Sequence, residues 1–124
     1  MAQGQNHYLA DLREIQFVLF EQFGLGEMLK SAPFVGTFDE SGVDMVLDEA
    51  YQFATTVVGP INSSGDAEGC RIEDGQVKTP AGFKDAWKRA YDSGLRQVSL
   101  SPERGGSGAP TLLGMAVEEL VSGA

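Results

Sequence analysis

A single cysteine, Cys70, leaves no intrachain disulfide to form and excludes any multi-cysteine zinc site. A single histidine, His7, excludes His-paired metal centres, and a serine triad could draw only on that residue near the start of the chain. Basic residues are scarce as well: 9 Lys and Arg stand against 18 Asp and Glu, for a net charge of −9 at pH 7. An acidic surface repels phosphates, which argues against nucleic acid and anionic membrane as partners. No run approaches the roughly 18 apolar residues of a membrane span. The opening Met1–His7 has neither a basic n-region nor an apolar h-region, which argues against a secretory signal and for a reducing, cytoplasmic setting.

What is present is ordinary for a globular chain. The 124 residues are 42% hydrophobic and 22% charged, enough for one domain with one modest core. The hydrophobic pattern predicts a mainly α fold of about four helices with one short β-hairpin. A first helix is expected over Leu9–Phe23, where Leu12, Ile15, Leu19 and Phe23 recur at helical spacing and Phe17, Val18 and Phe20 widen the apolar side. Its phenylalanines call for burial in this domain or against another, and Gly24 suits its end. The stretch Gly26–Phe38 reads as a turn-rich connection with a short helical turn at Glu27–Lys30.

Ser41 is the expected cap of a second helix, with Asp44 completing a capping box and Val43, Val46, Leu47, Ala50, Phe53, Ala54 and Val57 forming its stripe. Pro60 removes a backbone donor, and a kinked continuation to Asn62 fits best because Ile61 extends the stripe. Ser63–Asp66 then reads as a loop. Asp74-Gly75, between Cys70–Glu73 and Gln76–Thr79, is a type I′ hairpin signal, and strands this short are expected to rest on helices. Thr79 as cap and Pro80 at the first helical position open a third helix, with Phe83, Ala86, Trp87, Ala90 and Tyr91 as a core stripe and Gly94 as its stop. Leu95–Leu100 is expected to be extended and Ser101–Ala109 a loop. A fourth helix opens at Pro110 or Thr111 and buries Leu113, Ala116, Val117, Leu120 and Val121.

Sites of chemistry are thin. The loop Arg104–Pro110 opens a helix and suggests an anion cradle, yet it lacks dinucleotide or P-loop spacing, and a flexible joint packed closely on another surface explains it better. Ser107 fails the nucleophile-elbow pattern at Ala109. The pairs Asp48/Glu49, Glu73/Asp74 and Glu118/Glu119 read as solvated faces, since adjacent helical positions diverge by about 100°. Glu118 alone borders a buried stripe and so needs a hydrogen-bonding partner. Cys70 reads as an incidental thiol, His7 as a solvated tail residue. Composition and spacing thus describe an acidic, mainly helical domain without a self-contained active site and with no metal ligands.

Several motifs occur in a particular order: Leu12–Leu19, then Val57-Val58-Gly59-Pro60-Ile61-Asn62, then Gly65–Arg71 followed by Glu73-Asp74-Gly75, then Thr79–Lys84, then Pro102–Pro110, then Ala116-Val117-Glu118-Glu119. This order resembles the N-terminal helical region of the acyl-CoA dehydrogenase family, in its 3-methylmercaptopropionyl-CoA dehydrogenase-like subgroup with an N-terminal extension. The sequence departs from the family pattern at Leu95, Arg104 and Ala109, where tryptophan, an aromatic residue and leucine are usual. The resemblance implies an extension over residues 1–38 and a helical domain over 39–124, incomplete at its C-terminal end. It implies a larger enzyme that oxidises the Cα–Cβ bond of an acyl-CoA, with FAD held between a β middle domain and a C-terminal helical bundle that supplies the catalytic glutamate. Neither Glu118 nor Glu119 matches that glutamate, so no catalytic or cofactor-binding residue is carried over, and no FAD is expected on this chain alone. The expected role is to wall the acyl pocket and support a homo-oligomer, with Arg104, Gly105, Gly106, Gly108, Leu113, Val117 and Leu120 facing substrate or neighbouring domains. A stand-alone helical interaction module, or a small subunit of a split complex, is the alternative; it would bind through the first helix and the Leu113, Val117 and Leu120 face.

Overall fold

The computed structural model describes residues 6–124; the expectation about a signal sequence falls mostly on residues 1–5, outside that range. Helix α1 comprises Leu12–Phe17 and a π-helical continuation, Val18–Gln22. It begins three residues later than its apolar pattern suggests, because the Asp11 carboxylate accepts from the Arg13 backbone N–H and caps the helix there. Gly24, at φ +64°, ends α1 as expected and at once opens the single turn α2, Leu25–Leu29, which buries both of those leucines.

Helix α3 is continuous from Glu40 to Glu68, in three parts: Glu40–Phe53, a π-helical Ala54–Val58, and Gly59–Glu68. Its cap is Asp39, whose Oδ1 accepts from the Gly42 N–H at 2.7 Å, and not Ser41. Aspartate two residues earlier wins because it lies outside the helix in extended conformation, φ −126° and ψ 177°, as a cap requires. Pro60 is carried within the helix, as expected, but the predicted stop at Asn62 and the loop at Ser63–Asp66 are both overturned. The helix persists because Gly65 is buried directly beneath the Phe83 ring, with no space for a Cβ. What looks like a glycine breaker is a packing contact.

Strands β1 (Arg71–Glu73) and β2 (Gln76–Lys78) pair antiparallel, with Ile72 opposite Val77 across the Asp74-Gly75 turn. Both turn residues have positive φ, +51° and +74°, as a type I′ turn demands. The hairpin does not rest on helices: Ile72 is 76% and Val77 68% exposed. A polar anchor holds its base instead. One Glu68 oxygen accepts from Arg71 at 2.7 Å and the other from the Ala81 backbone N–H at 2.9 Å, on either side of the hairpin.

Helix α4 spans Phe83–Asp92 and is preceded by Gly82 at φ +86°, so neither Thr79 nor Pro80 opens it. The Ala81 N–H is drawn to Glu68, and Pro80 is buried within a turn whose carbonyl accepts from Phe83. Only beyond the left-handed Gly82 does the chain turn helical. Leu95–Leu100, expected to be extended, begins with a 3-10 turn at Leu95–Gln97 that buries Leu95, and Val98 is buried just after it. Helix α5, Thr111–Gly123, starts where the sequence suggests. Its Leu113, Val117 and Leu120 meet Val43 and Leu47 of α3 in the centre of the core, all of them fully buried. Burying such side chains contributes about 1.5–3 kcal/mol each.

Candidate functional site

The second half of α3, the near side of α4 and the end of α5 leave an open, mostly apolar cleft of about 300 Å³ among the described residues. It is lined by Phe53, Val58 and Ile61 of α3, by Phe83 and Trp87 of α4 and by Val121 of α5. The helical spacing of α4 suggested a core stripe. The structure instead buries only its alanines, Ala86 and Ala90, and leaves Phe83 38%, Trp87 60% and Tyr91 41% exposed. The small side chains let α4 approach the core closely, and this pushes the large rings past the contact to its rim. The Trp87 and Tyr91 ring centroids are 5.1 Å apart and inclined at 52°. Asn62 donates from Nδ2 to the Ala124 carbonyl oxygen at 2.7 Å and closes one end.

Arg96 borders the same cleft. Its guanidinium lies 5.6 Å from the Trp87 ring centroid and donates to Glu118 Oε2 at 2.6 Å. Glu118 therefore has the partner its position beside the α5 stripe requires. Arg96 was not foreseen as a site residue, although it is the one cation of the Leu95–Leu100 segment.

The glycine loop is used internally. Gly106 faces the Gln97 and Leu100 carbonyls so closely that a Cβ would overlap them. The N–H groups of Gly106, Gly108 and Ala109 donate to Ser101, Leu100 and Val98 at 3.1, 2.8 and 3.0 Å. An anion would have to displace those bonds, so the loop is a joint packed on this chain's own turn. Arg104, Gly105 and Ser107 are exposed on it. Leu113, Val117 and Leu120, expected to meet substrate or another domain, are wholly buried against α3 and touch neither without opening the core. On α1, Phe17 and Phe23 stay 55% and 60% exposed, so only Leu19 of that helix is fully buried. Between α1 and α5 runs a broader groove of about 910 Å³, bordered by Tyr8, Leu9, Ile15, Phe23 and Met115. Burial, with Glu119 and Tyr51 nearby, raises the Tyr8 phenol above its usual range.

Cys70 is an exposed free thiol. Among the described residues no three His, Cys, Asp or Glu side chains come together as a metal site, and no helix is long and apolar enough to cross a membrane.

The chain is similar to the 3-methylmercaptopropionyl-CoA dehydrogenase of Ruegeria pomeroyi. The two are 33% identical over 122 residues, covering 94% of this chain and 20% of the dehydrogenase. The chain thus spans about a fifth of the length of the curated relative that it matches. No family model matches the sequence.

Proposed function

We propose that this chain is the helical N-terminal part, or a truncated product, of an FAD-dependent acyl-CoA dehydrogenase that oxidises the Cα–Cβ bond of an acyl-CoA thioester in the cytoplasm. Residues 1–38 are its extension and 39–124 its helical domain. It walls the acyl side of the site and supports a homo-oligomer, while the flavin chemistry belongs to other parts of the enzyme. The observation that carries this reading is the 33% identity to a dehydrogenase over 94% of the chain.

We infer that these residues do not hold FAD by themselves. The aromatic cleft, about 300 Å³, is at the bottom of the range for pockets that enclose a drug-sized ligand, roughly 300–1,000 Å³. The groove of about 910 Å³ between α1 and α5 is lined by Asp11, Glu14, Glu118 and Glu119 with no cation, which disfavours a pyrophosphate. The loop N–H groups that could hold a pyrophosphate are bonded within the chain. No catalytic step is therefore assigned to these residues. Their proposed contribution is apolar surface: the Trp87 ring, with the Arg96 guanidinium 5.6 Å from its centroid, at the α3–α4 cleft, and Met115 on the separate groove beside α1.

Sequencing onward from the codon for Ala124 tests the reading. It predicts a β domain followed by a helical bundle, in frame or shifted. A neighbourhood encoding neither contradicts it. The exposed Phe17 and Phe23 favour a second reading, a stand-alone helical interaction module or split-complex subunit. That reading predicts a complete gene ending at Ala124 and a monodisperse chain, whereas an orphaned domain self-associates in light scattering.

A further inference from the structure

The π-helical segment of α3 sets a problem at Pro60 that the chain solves from a distance. In this segment the Gly59 N–H donates to the Ala54 carbonyl, five residues back. Continued by one residue, the same pattern pairs the Thr55 carbonyl with residue 60, which is proline and has no N–H to give. The Thr55 oxygen is thus left without a donor from its own helix. Asn6 supplies one: its Nδ2 donates to that oxygen at 2.6 Å, across 49 residues of sequence. Gly59 makes the approach possible, because a methyl group there would overlap the Asn6 carboxamide. The Asn6 Oδ1 accepts in turn from the Tyr8 backbone N–H at 3.0 Å, and the Tyr8 ring then lies on Gly123, where an added Cβ would come within 3.0 Å of Cε2.

We propose that residues 6–10 are a latch, in which Asn6 replaces the donor that Pro60 lacks and thereby holds α1 over the groove it shares with α5. The latch is local. Helix α1 has one fully buried residue, Leu19, and one polar tie to α3, from Gln16 Nε2 to Asp44 Oδ1 at 2.8 Å. Losing the Asn6 bond frees the strap carrying Tyr8 and Leu9 along one edge of the groove, while the α3–α5 core stays packed. The inference is independent of any dehydrogenase activity.

Hydrogen exchange on the full chain tests it. Asn6→Ala should speed exchange of the α1 amides about fivefold, the worth of one typical hydrogen bond, with Glu40–Phe53 and α5 unchanged. Pro60→Ala returns an N–H to position 60, so in that background Asn6→Ala should change α1 exchange by less than about twofold. Gly59→Ala ejects the carboxamide and should match Asn6→Ala, with no further gain when the two are combined. The proposal is overturned by unchanged α1 exchange in Asn6→Ala, by an equal effect with and without Pro60, by additivity of Asn6→Ala and Gly59→Ala, or by a uniform rise in every helix.

Discussion

Arg96 is held between two groups of different kinds: its guanidinium meets the Glu118 carboxylate at 2.6 Å and the face of Trp87 at 5.6 Å from the ring centroid. Three elements are joined through one side chain: the turn after α4, α4 itself and α5. Both charged partners are partly open to water, at 27% and 44% side-chain exposure, so the pair's worth is modest. Arg96→Ala should destabilise the chain by about 1 kcal/mol in urea unfolding, from the lost ion pair and ring contact together. Arg96→Lys should recover less than half, since an ammonium cannot lie flat on the indole. Equal stability of all three proteins would contradict this arrangement.

Gly65 and Phe83 give a test whose sign runs against helix propensity. An exposed mid-helix glycine replaced by alanine gains about 1 kcal/mol. Here the added methyl overlaps the far end of the Phe83 ring, which is 38% exposed and must swing aside, so Gly65→Ala should lose that gain and cost up to about 1 kcal/mol. Combining it with Phe83→Leu should recover part of the loss in thermal unfolding. A Gly65→Ala protein stabilised by the full helix-propensity gain would show that the Phe83 ring does not press on Gly65.

The two sides of α5 should respond differently. Leu120 is fully buried and Met115 is 65% exposed. Leu120→Ala should cost about 2–5 kcal/mol, whereas Met115→Ala should fall within about 0.5 kcal/mol of the parent. A large loss at Met115 would place the helix on its other face.

The hairpin base should be acid-sensitive. The Ala81 backbone N–H, and secondly the Arg71 guanidinium, hold the Glu68 carboxyl below the usual glutamate range. With the folded value depressed, this anchoring is complete above the unfolded value and fades as pH falls through the folded one. In an NMR titration, the Ala81 amide should shift with a midpoint below that of an ordinary glutamate, and the shift should vanish in Glu68→Gln. An Ala81 amide that titrates unchanged in Glu68→Gln would overturn the anchor.

Much of this fold could be read in the sequence, because α3 and α5 carry apolar stripes that tertiary packing uses almost unaltered, whereas α1 fully buries only Leu19 of its stripe and leaves Phe17 and Phe23 exposed. The Asp74-Gly75 turn was legible for the same reason: its local chemistry leaves one choice. Where reading failed, distant contacts decided. Gly65 looks like a loop residue until Phe83 lies across it, and Thr79-Pro80 looks like a helix start until Glu68 draws off the Ala81 N–H. The aromatic cleft was missed because periodicity marks which face of α4 is inward but not how deeply alanines let it settle. Asn6 gave no local signal at all; only the missing N–H of Pro60, resolved in three dimensions, gives it a purpose.

The wall proposed for these residues carries no reaction centre of its own. Its most direct test is turnover by the purified chain alone, supplied with FAD, a series of acyl-CoA thioesters and an electron-accepting dye. No stoichiometric flavin uptake and no dye bleaching above the protein-free rate are expected. Sustained, thioester-dependent reduction of the dye would contradict that proposal.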